Sequence, residues 1–101
     1  MTETTRTVQQ KRELAAPPDV EANGGTEILR LFITGESLSL TVQRGFANPE
    51  VWGQVLARLA RHISTVYDRE TPIGEARALA VIVASFDAAL NRKALDPGAT
   101  Q

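Results

Sequence analysis

The sequence predicts a small α+β domain of order strand, strand, helix, helix. Three observations predict it. Apolar and polar residues alternate on both sides of Thr34-Gly35-Glu36-Ser37. Apolar residues recur at three- and four-residue steps behind Asn48-Pro49. A second run with the same helical period follows Thr71-Pro72. The expected organisation is a flexible N-terminal segment over residues 1–24, one ββαα domain over 25–93, and a C-terminal tail over 94–101.

The N-terminal segment is polar and Thr-rich up to Arg12 and lacks any period. Pro17-Pro18-Asp19 favours an extended or turning chain, because a residue before proline avoids the helical region. Asn23-Gly24-Gly25 breaks regular structure. Leu14 and Val20 are the residues able to pin the segment to the domain.

The hairpin spans Glu27 to Arg44. Gly35 at the first central position suits a two-residue type II′ turn, since that position needs a positive φ. With Thr34 opposite Ser37, Ile33 faces Leu38, Leu31 faces Leu40 and Leu29 faces Val42. All three pairs are apolar and share one face. A slip of one residue would destroy that agreement, so the register is specified. The other face pairs Phe32 with Ser39, Arg30 with Thr41 and Ile28 with Gln43. Ile28 and Phe32 therefore form an apolar patch that calls for a cover, either the N-terminal segment or a second chain.

The first helix, Asn48 to Arg69, carries the single Trp, Tyr and His of the chain. Asn48 is an N-cap whose amide oxygen accepts from the first turn. Pro49 fits the first helical position, and Glu50 suits the positive end of the dipole. Trp52, Val55, Leu56, Leu59, Ile63, Val66 and Tyr67 form the apolar stripe, with Trp52 an expected anchor against the hairpin. Gly53, Ala57, Ala60 and Ser64 form a stripe of small residues beside it. Phe46, in the preceding link, is placed to cap the core.

The second helix is expected from Pro72 to Arg92, with Ala76, Leu79, Ile82, Val83, Phe86 and Leu90 inward. Its far side holds Val81, Ala84 and Ala88 among few charges. An exposed helix face usually carries more charge, so that side is expected to be packed in the native assembly. Ile28, Phe32, Val81, Ala84 and Ala88 make up the expected dimer surface.

The composition narrows the function. The chain has 101 residues, 43% hydrophobic and 23% charged, ordinary for one folded domain. The net charge of −1 gives no long-range attraction to nucleic acid, so nucleic acid is not an expected partner. There is no cysteine, which excludes disulfides and thiol chemistry. No apolar run approaches the roughly 20 residues of a membrane span, and the N-terminus lacks the apolar core of a secretory signal. The expected location is cytoplasmic, with no membrane partner.

No catalytic, metal or cofactor signature is present. His62 has no second histidine at ligand spacing and reads as a boundary residue hydrogen-bonded to a neighbour. Asp68 and Glu70 sit where the helix ends and read as solvated. Gly24-Gly25 precedes a strand and lacks the phosphate-loop pattern, and Ser37 and Ser39 lie on a strand without a nucleophile elbow. Arg58, Arg61, His62 and Arg69 line one flank of the first helix. A solvated face is the plain reading of that flank. The alternative is a surface for a small acidic ligand or nucleic acid.

Several short motifs, Pro17-Pro18-Asp19, Gly24-Gly25 with Glu27, Leu29 and Arg30, then Pro49, Trp52-Gly53 and Ala60-Arg61-His62, together resemble a family of short bacterial proteins of unknown function. The resemblance covers roughly Pro17 to Tyr67. It implies a compact domain in small stand-alone bacterial proteins and no activity.

About 70 ordered residues is near the lower limit for a comfortable single core. With no disulfide or metal, oligomerisation is the remaining remedy. The expected function is thus a non-enzymatic interaction or regulatory module acting as a homodimer, with an unidentified protein partner as a further option. The pairing would run through a continuous four-stranded sheet or through the helices. An enzyme, or an accessory subunit of one, is the other alternative.

Overall fold

The computed structural model describes residues 10–95, and side chains through Arg92. Residues 1–9 of the expected N-terminal segment and 96–101 of the expected tail lie outside the described residues. The element order is a short helix α1 (Pro18–Asn23), strands β1 (Leu29–Thr34) and β2 (Ser37–Val42), and helices α2 (Pro49–Glu70) and α3 (Glu75–Leu95). Two strands followed by two long helices make the expected ββαα arrangement. The chain divides into two compact units between Arg44 and Gly45.

In the first unit, α1 stands where the prolines predict extended chain. Pro18 occupies the first turn, where its missing N–H costs nothing, and Asp19 and Glu21 lie at the positive end of the dipole. The backbone N–H groups of Val20 and Glu21 both donate to the Pro17 carbonyl, at 3.0 and 3.1 Å. Gly24 ends the turn at φ +80°, and its N–H donates to the Val20 carbonyl at 2.7 Å. Pro17 keeps the extended conformation that a following proline imposes. The proline pair thus starts a helix rather than preventing one.

The hairpin has the predicted register, with Leu29 opposite Val42, Leu31 opposite Leu40 and Ile33 opposite Leu38. Gly35 has φ +64°, while Glu36 keeps a negative φ. That is the II′ pattern. Beyond the strands, the Gln43 N–H donates to the Ile28 carbonyl at 3.0 Å, and the Gln43 side-chain amide to the Glu27 carbonyl at 2.8 Å. The face that alternation marks as core is nevertheless open. Leu29 is half-buried, Leu31, Leu38, Leu40 and Val42 are more than half exposed, and Ile33 is 81% exposed. A two-stranded ribbon offers too little area to bury its own apolar face.

In the second unit, the Glu50 N–H donates to Asn48 Oδ1 at 2.9 Å, the expected cap. The far end of α2 departs from expectation. Thr71 closes α2 instead of opening α3. Its N–H and its hydroxyl both donate to the Tyr67 carbonyl, at 2.9 and 2.7 Å. The same hydroxyl accepts from the Ile73 N–H at 3.0 Å. With Thr71 committed to α2, the second helix begins at Glu75, and the Gly74 carbonyl accepts its first bond from the Ala78 N–H at 2.9 Å. The helix also runs past Arg92, so residues 94 and 95 are helical rather than tail.

The two helices meet where side chains are smallest. Among the described residues only Ser64 and Ala78 are buried, at 0% and 4% exposure, one on each helix. Ala60, Leu79 and Ile82 beside them are half-buried. The small-residue stripe of α2 is thus used inside the chain at Ala60 and Ser64. The Ser64 hydroxyl donates to the Ala60 carbonyl at 2.8 Å, so its burial leaves no unpaired group.

Candidate interaction surfaces

Arg30 organises the outer face of the hairpin. Its Nη2 donates to Glu13 Oε2 at 2.6 Å and its Nε to Glu27 Oε2 at 2.9 Å. The guanidinium carbon lies 5.2 Å from the centre of the Phe32 ring, a cation–π distance. Lys11 adds its ammonium 3.6 Å from the same Glu13 oxygen. The hydrogen bond from Arg30, followed by the charge of Lys11, holds the Glu13 carboxyl below the usual carboxylate range. Reciprocally, the bond to Glu13 and the charge of Glu27 raise the Arg30 pKa.

Ile28 and Phe32 are both half-buried, with the Arg30 guanidinium over the Phe32 ring. Of the two covers considered from sequence, the N-terminal segment is fastened here through Glu13. Sequence reasoning missed the role of Arg30, although the i,i+3 spacing of Glu27 and Arg30 was visible. Two open hollows, of about 300 and 350 Å³, flank Arg30. The first is lined in part by Ile28, Thr41 and Gln43, the second by Leu14, Pro17 and Val20.

The basic flank lies on α2 as its spacing predicts. Arg58, Arg61, His62 and Arg69 are all exposed. Arg69 Nη2 stands 3.9 Å from Glu70 Oε2, a weak exposed pair. His62 makes none of the described hydrogen bonds, so it is a solvated residue and not the bonded boundary histidine expected. Asp68 and Glu70 are exposed, as read from the sequence. Among the described residues no cluster of His, Cys, Asp or Glu could hold a metal ion.

The apolar surfaces are larger. On α2, Leu56, Leu59, Ile63, Val66 and Tyr67 remain 38–43% exposed. On α3, Val81, Val83, Phe86 and Leu90 remain 52–55% exposed, and Ala84 and Ala88 are exposed too. Val83, Phe86 and Leu90 were expected in the core. Ala76, expected inward too, is exposed, and of that stripe only Leu79 and Ile82 are half-buried. Trp52 is likewise half-buried, and its ring packs edge-on against Phe46 with centroids 5.8 Å apart. Among the described residues no helix is long and apolar enough to cross a membrane.

The family model described as "Domain of unknown function (DUF5076)" matches residues 13–94. The chain belongs to the DUF5076 family. That range takes in Glu13 at one end and nearly all of α3 at the other. No curated protein matches this DUF5076 chain. Solved structures do match. One is described as "Structure of a putative pyruvate dehydrogenase from the photosynthetic bacterium Rhodopseudomonas palustrus CGA009". It shares 38% identity, superposes with a TM-score of 0.69, and aligns over 84% of this chain and 89% of its own.

Proposed function

We propose that this DUF5076 chain is a non-enzymatic interaction module that works as a homodimer. One observation carries the reading. Ser64 and Ala78 are the only buried side chains among the described residues, while apolar residues on the hairpin and on both helices stay open to water. A soluble monomer rarely exposes contiguous apolar patches beyond a few hundred Å².

Light scattering on a size-exclusion column tests the proposal. The expected mass is twice the 10.9 kDa of one chain. A strict monomer at tens of micromolar, with helical circular dichroism intact, would overturn it.

A second reading has one observation in its favour. The Rhodopseudomonas relative is described as a "putative pyruvate dehydrogenase", which fits an enzyme or accessory subunit. Purified protein supplied with pyruvate and an artificial electron acceptor is expected to show no turnover. Turnover proportional to protein concentration would place the enzyme reading first.

A further inference from the structure

We infer that two copies meet through their helix pairs, with α3 packed antiparallel against α3 of the second copy about a two-fold axis at Val81, Ala84 and Ala88. The inference rests on the homodimer reading above and adds where its interface lies.

The first support is the distribution of charge on α3. From Ala78 to Phe86 the helix carries no charged residue. Ala78, Leu79 and Ile82 turn toward α2, as their burial shows. Val81, Ala84 and Ala88 recur at i, i+3 and i+7, roughly 130° round the helix from them at about 100° per residue. One neighbouring helix cannot cover both sides. A helix apolar on two sides belongs inside an assembly, between two partners. The two alanines allow close approach of a second helix. Arg77 and Asn91 stand at the two ends of this surface, giving an apolar centre with a polar rim.

The second support is extent. The helices have 22 and 21 residues. At 1.5 Å per residue, with axes 8–10 Å apart, the pair presents a face of roughly 32 by 20 Å, or about 600 Å² in plan. Accessible area exceeds area in plan, so this approaches the ~800 Å² per partner of a standard interface. The hairpin face has six residues per strand. At about 3.4 Å per residue and 4.8 Å between strands it offers about 200 Å² in plan. Of the two apolar faces, only that of the helix pair has the extent of a stable interface.

The third support is continuity. The four residues between α2 and α3 make the helices antiparallel neighbours. In such a pair meeting at Ser64 and Ala78, helical handedness puts the Leu56, Leu59 and Ile63 stripe on the same side as Val81, Ala84 and Ala88. Two such faces closed on each other form a four-helix arrangement. Arg58, Arg61 and Arg69 lie on the other flank of α2 and remain in water.

The absence of cysteine makes single-cysteine variants clean reporters. Residues beside a two-fold axis meet their own copies. At least one of Ala84→Cys and Ala88→Cys is therefore expected to give a covalent dimer under mild oxidation. Leu38→Cys on the hairpin and Arg61→Cys on the basic flank are expected to stay single chains. Ala84→Arg is expected to weaken dimerisation about 30-fold or more. Its circular dichroism should not change, because Ala84 is exposed in one copy. If the native protein is a dimer but only Leu38→Cys cross-links, the inference is overturned and the homodimer stands. A dimer with no cross-link on α3 and no effect of Ala84→Arg also overturns it. A native monomer overturns both.

Discussion

Arg30 and Glu13, seventeen residues apart in sequence, are joined by a 2.6 Å hydrogen bond between guanidinium and carboxylate. Through this bond the segment before α1 is held to the outer face of the hairpin, beside Phe32.

The bond makes the attachment pH-dependent. The Glu13 pKa is lowered in the folded chain, first by the Arg30 hydrogen bond and then by Lys11. A depressed carboxyl contributes stability above its unfolded pKa of about 4.3 and loses it as pH falls through the folded value. The segment should therefore stay attached at pH 7 and release below the ordinary glutamate range. Protection of Lys11 and Arg12 from trypsin at pH 7 should fall in Glu13→Gln. Amide exchange around Glu13 should lose its acid dependence in the same variant. The pair is exposed, so both effects should weaken in high salt.

Ser64 sets how closely α2 and α3 approach. Ser64→Leu would overpack the crossing and should lower stability by about 1–3 kcal/mol. Ser64→Ala removes only a hydroxyl bonded back to its own helix, and should change stability by less than about 1 kcal/mol. Thermal melting of the two variants separates close packing from hydrogen bonding as the reason for a small residue there.

Trp52 should matter less than a fully buried tryptophan. It is half-buried against Phe46. Trp52→Ala should cost about 2 kcal/mol, below the 3–5 of complete burial. A double-mutant cycle with Phe46→Ala should return a coupling of about 0.5–1.5 kcal/mol. Urea denaturation measures both, and zero coupling would mean that the edge-on contact does not contribute.

Gly35→Ala should destabilise the hairpin although a methyl group there meets nothing within 4 Å. The cost comes from φ +64°, and should be about 1–2 kcal/mol. Gly53→Ala has the same open space inside a helix without a positive φ, so it should stabilise by up to about 1 kcal/mol.

The basic flank should bind polyanions weakly. Arg58 and Arg61 can engage two phosphates, and log K should fall with log salt with a slope of about −2. Titration of Arg58→Gln and Arg61→Gln against heparin or a DNA duplex checks this. Tight, sequence-selective binding at physiological salt would promote the nucleic-acid reading over the interaction module.

The sequence by itself determined the parts whose physics is local. Alternation and one glycine specify the hairpin register, since a slip of one residue would place Leu31 and Leu40 on opposite faces. An Asn-Pro pair and a 3.6-residue period specify α2. Those signals act over a few residues and do not depend on what packs nearby. Tertiary structure decided the rest. Thr71 could have capped the second helix, but its hydroxyl and N–H were already engaged by the Tyr67 carbonyl, so α3 starts at Glu75. The prolines before Asp19 favour extended or turning chain, but the Pro17 carbonyl accepts two bonds and α1 forms there. Arg30 could be seen to pair with Glu27, but its bond to Glu13 spans a loop that no pattern encodes. Periodicity also shows that a face is apolar without showing what covers it. Leu79 and Phe86 belong to one stripe, yet Leu79 is half-buried and Phe86 is open to water, because burial depends on where α2 lies and not on the helix that carries them.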